Sequence, residues 1–317
     1  MNKEPLPKLV VFGSLNMDFV VRVEHLPGPG ETTLGSGFQM LPGGKGANQA
    51  CAAGRIGSGT VATAMAGRVG YDLFADHLKA SLAAAGVDVS RVFATKAQPT
   101  GVALIWVDRN GQNSIIVASG ANHTLSGADV EMLRPAFSGA SYTLFQLETP
   151  LDAVGAALAL ARELGVHTIL DPAPAQPLST KLLSLANILT PNESEACLLL
   201  ERPAARLSRE DAPSVAAALR QKGSHAVVLK MGDRGCFYSD NAEELFVPAF
   251  PVSAVDSTAA GDVFNASLAV ALAEGREMAD ALRFANAASA ISVTRMGAQP
   301  SVPIRSEVDE FLKSCAS

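Results

Sequence analysis

The sequence predicts an α/β fold in which a mostly parallel central sheet has helices on both faces and carries a small inserted β-sheet. Short continuous apolar runs alternate with amphipathic segments along the chain, and such runs are typical of strands buried on both faces. Two other regions alternate apolar and polar residues and have no helical segment between their strands. Since no helices would cover both faces of these strands, we expect them to form a separate sheet.

The apolar runs give the expected strands of the main sheet, at 9–12, 60–65, 142–146, 167–170, 187–190 and 226–229. Stripes of apolar and small residues at helical spacing follow Gly261-Asp262 and recur from Met278 to Ser292. The 317 residues suit two domains or one large domain with an insertion. We predict a single α/β domain over residues 1–317.

The inserted sheet is expected from strands within approximately 19–41 and 100–118. In the second region, an Asn-Gly pair at 110–111 separates two alternating runs, which is a strong signal for a hairpin. A sheet of this kind would act as a lid over a site or as an oligomer surface.

Composition and charge exclude several classes of protein. Hydrophobic residues make up 48% and charged residues 18%, which excludes disordered and collagen-like chains. Lys and Arg number 25 against 31 Asp and Glu, and the resulting net charge of −6 does not favour nucleic acid or anionic membranes as partners. No apolar run approaches the roughly 20 residues that span a bilayer, and the amino terminus lacks the apolar core of an export signal. We therefore expect a small soluble partner.

Cysteine and histidine spacing indicates neither disulfides nor a caged transition metal. The four cysteines lie far apart without a C-x-x-C pair, and the five histidines lack H-E-x-x-H or paired metal spacing. A reducing cytoplasm fits this usage. The motifs G-x-S-x-G and strand-associated G-x-G-x-x-G are also absent, which argues against a hydrolase and a dehydrogenase.

The densest glycine cluster, Pro42-Gly-Gly-Lys-Gly-Ala-Asn48, leads into a helix rich in small residues. Glycines allow close approach of a ligand to the backbone, and N–H groups at a helix start attract anions or polar oxygens. An ordinary turn and helix cap would explain the glycines alone, but Lys45 and Asn48 add a cation and an amide donor. The spacing is not that of a Walker phosphate loop.

A second candidate segment runs from Val255 to Asn265, where a turn of small residues feeds a helix that begins near Asp262. An Asp in this position is commonly a helix cap or a partner of the helix dipole. The small residues Ala259, Ala260 and Gly261 would also let a phosphate lie on their N–H groups. An adjacent carboxylate would then accept a hydroxyl proton.

Three further polar groups each have two interpretations. Asn16 and Asp18 point to the same side of an extended chain, which suits a polyol or a solvated Asx turn. Asn192-Glu-Ser-Glu195 follows an expected strand at its ligand-binding end, or is an ordinary acidic helix start. The segment 230–235 is either a hairpin turn or a nucleotide loop.

Taken together, Gly43-Gly-Lys-Gly-Ala-Asn48 and Asp256-Ser-Thr-Ala-Ala-Gly-Asp262 resemble the two signatures of the ribokinase-like (PfkB) sugar kinases. Other stretches resemble the same family, so that the match covers nearly the whole chain: 13–18, 29–32, 146–148, 171–174, 190–193 and 295–301. The resemblance implies ATP-dependent transfer of a phosphoryl group to the 5-hydroxyl of D-ribose.

The resemblance also implies roles for particular residues. Asp262 would be the catalytic base, and the N–H groups of Ala260, Gly261 and Asp262 would form an anion hole. The sugar would be bound by Asp262 and by backbone or side-chain groups of eight further residues: Asn16, Asp18, Gly44, Lys45, Gly46, Ala47, Asn48 and Glu148.

The nucleotide and two cations follow from the same resemblance. The ATP site would comprise Asn192, Lys230, Met231, Gly232, Asp233, Arg234, Gly235, Gly261, Asp262 and Asn286. Asn192 and Glu195 would organise Mg²⁺ and the phosphates, largely through water. A K⁺ activator would be held, mostly by backbone carbonyls, at Asp256, Thr258, Ser292, Arg295, Gly297 and Ser301. The inserted sheet resembles the family's lid, which implies a homodimer through this sheet.

Several alternatives stay open. The nearest is a kinase of the same family for 2-deoxyribose, with fructose or a nucleoside less close. A catalytically silent sugar-binding protein would have no need of the intact set of Asp262, Gly261, Lys45 and Asn192. A nucleotide-dependent dehydrogenase lacks its dinucleotide fingerprint here.

Overall fold

The computed structural model describes residues 5–315, which form a large sheet flanked by helices and a smaller separate sheet. In chain order the strands are β1 (Lys8–Phe12), β2 (Asn16–Val23), β3 (Gly35–Gly43), β4 (Ala62–Gly70), β5 (Asp88–Thr95), β6 (Gly101–Val107), β7 (Asn113–Ala118), β8 (Ala140–Phe145), β9 (His167–Leu170), β10 (Ile188–Leu189), β11 (Ala226–Lys230), β12 (Cys236–Ser239) and β13 (Glu244–Val247). The predicted fold class is confirmed.

The α-helices, again in chain order, are α1 (Lys45–Ile56), α2 (Leu73–Ala84), α3 (Gly127–Met132), α4 (Arg134–Phe137), α5 (Leu151–Glu163), α6 (Thr180–Leu183), α7 (Glu193–Leu199), α8 (Ala212–Gln221), α9 (Ala260–Ala273), α10 (Met278–Ser292) and α11 (Arg305–Ser314). Short 3₁₀ helices occupy Gly120–Thr124, Gly232–Arg234 and Gln299–Ser301. Residues 1–4, which entered the expectation about an export signal, lie outside the described residues.

The large sheet has nine strands in the order β13-β12-β11-β10-β9-β8-β1-β4-β5. All neighbours from β11 to β5 pair in parallel, and only β12 and β13 add antiparallel pairs at one edge. In β1, Leu9 and Val11 belong to one hydrophobic core, whereas Val10 and Phe12 belong to a second core. Both faces of the sheet are therefore buried, as continuous apolar runs predict.

The small sheet has four strands in the order β3-β2-β6-β7, with β2 and β6 parallel and the outer pairs antiparallel. Its strands agree with the predicted ranges, except that β2 begins earlier, at Asn16, and β3 ends later, at Gly43. Asn16 pairs with both Gly43 and Gly101. The base of the small sheet is thus continuous with the glycine-rich turn before α1.

In residues 5–315, no helix is both long and apolar enough to span a bilayer. All four cysteines are unpaired thiols: Cys51, Cys197 and Cys236 are buried, and Cys315 is exposed.

Candidate active site

A cleft of about 510 Å³ lies where the carboxyl ends of the parallel strands meet the start of α9. Its polar lining comes from segments far apart in sequence: Lys45, Asp171, Asn192, Glu195, Lys230 and Asp262. The carboxyl edge of a parallel sheet is the usual ligand-binding edge of α/β folds. Both of the segments that the sequence singled out, the glycine cluster and the start of α9, therefore contribute to one site.

The turn before α9 explains which backbone groups face the cleft. Ala259 is in the left-handed conformation with φ of 59°, a strained arrangement for a residue with a Cβ. The Ala260 N–H donates to the carbonyl of Ser257 at 3.2 Å, so it is engaged within the turn. Gly261 and Asp262 are first-turn residues whose N–H groups have no acceptor within the helix. Of the three N–H groups expected to form an anion hole, only that of Ala260 thus has a partner inside this turn.

Asp262 is 5% exposed and is held by two amide donors from α1. Asn48 Nδ2 donates to Asp262 Oδ2 at 3.1 Å, and Gln49 Nε2 donates to Asp262 Oδ1 at 3.0 Å. Burial raises the pKa of Asp262 to about 6, although the Lys45 ammonium and the two amides oppose the shift. At neutral pH the carboxyl is ionised and close to the pKa that suits a general base.

Gln49 was not among the predicted site residues, yet it connects the two halves of the site. Its Nε2 also donates to Asp171 Oδ2 at 3.1 Å, and its Oε1 accepts from Gln146 Nε2 at 2.6 Å. Gln49 and Gln146 are fully buried. The position of Gln49, next to Asn48 in the glycine-rich motif, was the only sequence signal.

Lys45 is the first residue of α1, and its N–H donates to Glu148 Oε2 at 2.9 Å. Burial disfavours the charged ammonium, but nearby carboxylates outweigh it and raise the pKa of Lys45 above its usual value. These carboxylates are Asp262, Asp171, Glu148 and Glu195. Lys45 thus stays protonated and supplies a positive charge close to the Asp262 carboxylate.

The glycines of this motif are required by geometry. Gly44 has φ of +88°, a conformation that favours glycine. A Cβ on Gly46 would lie 2.6 Å from the backbone nitrogen of Ser14, so α1 begins in direct contact with the loop after β1. In the same contact, the N–H of the buried Ala47 donates to the Ser14 carbonyl at 2.9 Å.

Of the side chains predicted to bind the sugar, Glu148 is linked to the cleft by its hydrogen bond with the Lys45 N–H. Asn16 and Asp18 share one face of β2, as the sequence predicted. Burial, followed by the charge of Glu148, raises the pKa of Asp18 to about 7. Glu148 accepts from Ser14 Oγ at 2.5 Å as well as from Lys45. Of the described residues, the cleft lining includes Lys45 and Asp262 but not Asn16, Asp18 or Glu148.

At the opposite end of the cleft, Lys230 Nζ pairs with Asp171 Oδ1 at 2.9 Å, with side-chain exposures of 13% and 3%. A Cβ built on Gly261 would lie 3.4 Å from Lys230 Nζ, so this ammonium adjoins the first turn of α9. Asp171 directly follows β9. The sequence assigned it no role, although its Asp-Pro-Ala-Pro stretch contributed to the family resemblance.

The loop 230–235, which joins β11 to β12, enters the cleft only in part. Gly232 and Gly235 line it, but Met231 is fully buried in the hydrophobic core. The exposed Asp233 pairs with Arg206 at 2.8 Å, on the protein surface. Met231 and Asp233 are therefore not part of the cleft lining, in a loop that closes the antiparallel pair of β11 and β12.

Arg234 and Asn286, two other residues predicted to bind ATP, make contacts with neighbouring segments. Arg234 pairs with Glu193 at 2.7 Å. Of these two residues, Glu193 lines the cleft and Arg234 does not. Asn286 lines the cleft, but its Nδ2 donates to the carbonyls of Val247 and Pro248 at 3.2 and 3.1 Å. Asn286 therefore holds the segment after β13 against the site.

Asn192 and Glu195 form a capping box at the start of α7. Asn192 Oδ1 accepts from the Glu195 N–H at 2.8 Å, and Glu195 Oε2 accepts from the Asn192 N–H at 2.7 Å. No cluster of three or more His, Cys, Asp or Glu suited to a metal occurs in residues 5–315. A carboxylate and an amide beside an open cleft fit Mg²⁺, which retains waters and bridges to phosphates rather than entering a protein cage.

The two segments predicted to hold K⁺ lie side by side. Asp256 Oδ1 accepts from the Thr258 N–H at 2.9 Å, and Asp256 Oδ2 accepts from the Gly297 N–H at 2.8 Å. One carboxylate therefore joins the turn that precedes α9 to the loop that follows α10.

The side chains around this junction are compatible with a cation bound by oxygens. The hydroxyls of Ser292 and Ser301 each donate to a backbone carbonyl three residues earlier, at 2.8 Å, which leaves oxygen lone pairs available. The Arg295 guanidinium pairs with Glu307 at 2.6 Å, so its charge is directed to α11.

Comparisons with known proteins agree with this geometry. The family model described as pfkB family carbohydrate kinase matches residues 6–305. The chain is 41% identical over 305 residues to the ribokinase of Haemophilus influenzae, covering 96% of this chain and 98% of that protein. The ribokinase structure from Thermotoga maritima has a TM-score of 0.87 at 38% identity, covering 97% of this chain and 100% of that one. The structure of Arabidopsis thaliana ribokinase complexed with ribose and ATP has a TM-score of 0.88 at 34% identity, covering 98% and 99%.

Proposed function

The chain belongs to the pfkB family of carbohydrate kinases, and we propose that it transfers the γ-phosphoryl group of ATP to the 5-hydroxyl of D-ribose. The products are D-ribose 5-phosphate and ADP. The observation that carries the proposal is the buried Asp262, which two amides of α1 hold at a cleft that Lys45 and Lys230 also line. The likeness to ribokinases along nearly the whole chain supports ribose as the acceptor.

In the reaction, the sugar hydroxyl oxygen forms a bond to the γ-phosphorus while the bond from that phosphorus to the β–γ bridging oxygen breaks. Asp262 accepts the hydroxyl proton, and ADP leaves with the electron pair of the broken bond. Asn48 and Gln49 keep the Asp262 carboxylate oriented. This orientation keeps the carboxylate within hydrogen-bond distance of the sugar hydroxyl, as proton transfer requires.

The moving phosphoryl group carries negative charge, and this chain stabilises it with fixed positive groups. The N–H groups of Gly261 and Asp262 lie at the positive end of the α9 dipole. Lys45 and Lys230 both line the cleft beside this helix start, and Lys230 Nζ adjoins Gly261. These groups are organised before substrate binds, which is the condition for effective electrostatic catalysis.

A divalent cation accompanies ATP in enzymes of this kind, and Mg²⁺ would neutralise phosphate charge when bound. Asn192 and Glu195 would hold its waters, because both residues line the cleft and carry side-chain oxygens. Burial raises the pKa of Glu195, with the charge of Lys230 opposing this effect.

The function is tested by measuring phosphate transfer from ATP across ribose, 2-deoxyribose, fructose and a nucleoside. A buried polar group left unpaired costs roughly 1 to 3 kcal/mol, so we expect ribose to exceed 2-deoxyribose in kcat/KM by about tenfold or more. Equal or better use of 2-deoxyribose would favour the closest alternative. Sugar binding without any transfer would identify the silent sugar-binding protein instead.

We further propose that K⁺ activates the enzyme through the junction at Asp256, without contact with substrate. A cation there would fix the turn that carries Gly261 and Asp262, since Asp256 and Thr258 precede that turn. At fixed Mg-ATP, ionic strength and saturating ribose, we expect K⁺ or Cs⁺ to exceed Na⁺ and Li⁺. Asp256→Ala should remove the difference, and equal rates with all four cations and a bulky organic cation would contradict the site.

A homodimer through the small sheet is proposed because that sheet and its flanking loop expose large apolar side chains, namely Leu34, Phe38, Met40, Leu104, Ile115, Ile116 and Val117. The register aligns Met40, Leu104 and Ile116 across one face of this sheet, where Phe38 stacks on Phe19. Contiguous exposed apolar side chains of this kind mark interaction surfaces. Sedimentation should show a dimer that Ile116→Lys weakens. A wild-type monomer at micromolar concentration would contradict the proposal.

A cytoplasmic location, which cell fractionation would test, fits the use of ATP and the unpaired thiols.

A further inference from the structure

The buried Asn122 contacts the start of β2 through every part of its amide. It lies in the 3₁₀ segment Gly120–Thr124 and is 1% exposed. Its Oδ1 accepts from the Leu15 N–H at 2.9 Å, and its Nδ2 donates to the Leu15 carbonyl at 3.0 Å. The same Nδ2 donates to Asn16 Oδ1 at 2.8 Å.

These three bonds determine which way each amide points. The backbone of Leu15 presents one donor and one acceptor, and Asn122 satisfies both only with its oxygen toward the N–H and its nitrogen toward the carbonyl. The second hydrogen on Asn122 Nδ2 then faces Asn16. Only an oxygen can accept it, so Asn16 directs Oδ1 to Asn122 and keeps Nδ2 for another partner.

The surrounding backbone is packed closely enough to hold this pair. A Cβ on Gly101 would lie 2.3 Å from Asn16 Oδ1 and 2.4 Å from Asn122 Nδ2, so β6 lies directly against both amides. Arg68 Nη1 donates to the Thr124 carbonyl at 2.8 Å and anchors the end of the 3₁₀ segment.

We propose that Asn122 is a positioning residue that makes Asn16 a hydrogen-bond donor toward the sugar, and so helps to select a polyol with paired hydroxyls. The proposal rests on the proposed function of the site. Asn16 Nδ2 donates to one hydroxyl oxygen, while the Asp18 carboxylate on the same face of β2 accepts a hydrogen bond from another hydroxyl. Two neighbouring hydroxyls satisfy both groups, whereas a sugar that lacks one hydroxyl leaves a buried polar atom unpaired.

The test is a double-mutant cycle on Asn122 and Asn16, with KM, kcat and thermal stability measured for each protein. Asn122→Ala should raise KM for ribose about tenfold with a smaller change in kcat, and should cause little further rise in the Asn16→Ala background. Asn122→Asp keeps the shape but presents oxygen to Asn16, and it should raise KM at least as much. The shape-preserving Asp variant keeps the test valid if the Ala variant does not fold.

Asn187→Ala provides the matched control. Asn187 also bonds to backbone, accepting from the Thr168 N–H at 2.8 Å, but it precedes β10 at the end of the sheet opposite the cleft. It should lower thermal stability without changing KM.

Additive effects of Asn122 and Asn16 on KM would show that Asn122 has only a structural role and would overturn the proposal. If the wild type does not phosphorylate ribose, the proposed function fails instead. The cycle is then measured with the sugar that the enzyme does use, where the same coupling is expected.

Discussion

Asp262→Asn is expected to lower kcat by about 10²- to 10⁴-fold, because the amide cannot accept the proton of the sugar hydroxyl. The substituted side chain has nearly the same shape, so dissociation constants for ATP and ribose should change only a few-fold. Turnover and calorimetric binding, measured on the same preparation, separate the two effects. A variant that kept more than a tenth of the wild-type kcat would show that Asp262 is not the base.

Asp240→Asn is the matched control for this substitution. Asp240 follows β12 and accepts from the N–H groups of Ala242 and Glu243 at 2.8 Å, in a turn at the other end of the hairpin from the cleft. Its carboxylate has the same chemistry and no route to the substrate. We expect unchanged kcat in this variant.

The pH dependence follows from the raised pKa values of two carboxyls. Burial raises the pKa of Asp262 to about 6 and that of Asp18 to about 7. Asp262 must be ionised to take the hydroxyl proton, and Asp18 accepts sugar hydrogen bonds most strongly when it is ionised. We therefore expect kcat/KM to fall as pH falls below 7 and more steeply below 6. Asp18→Asn should remove the step near pH 7 and leave the one near pH 6. A flat profile between pH 5 and 8 would contradict both assignments.

Lys230→Met should lower the free energy of unfolding by about 3 to 5 kcal/mol, since it leaves the buried Asp171 carboxylate without its ion partner. The Asp171 side chain is 3% exposed and would retain the Gln49 hydrogen bond and the charge of Lys45, without an ion pair in direct contact. Urea unfolding monitored by two independent probes gives the measurement. A loss below about 1 kcal/mol would mean that water or rearrangement compensates the charge.

Two further variants identify the cause of that loss. Adding Asp171→Asn to Lys230→Met removes the uncompensated charge, so most of the stability should return while phosphoryl transfer stays impaired. Arg206→Met breaks the exposed pair with Asp233, whose side chains are 68% and 78% exposed, and should cost only about 0 to 1 kcal/mol.

The sequence by itself determined the layers of the fold and the two principal segments of the site. Continuous apolar runs and alternating runs differ locally, so they distinguished the doubly covered large sheet from the small sheet. The glycine cluster before α1 and the turn before α9 are also local features. Because glycine requirements and helix starts depend on neighbouring residues, Lys45 and Asp262 were found without any knowledge of contacts.

Only the tertiary structure decided which buried amides serve those segments. Gln49 lies 122 residues from Asp171, and Asn122 lies 106 residues from Asn16. Contacts of this kind depend on strand order and on the packing of α1 against α9, which no local pattern specifies. The tertiary structure also showed that the Ala260 N–H is engaged with Ser257 and that Met231 belongs to the core. A buried neutral amide has no periodicity or charge that marks it in sequence, because its role is defined by the atoms that the fold places around it.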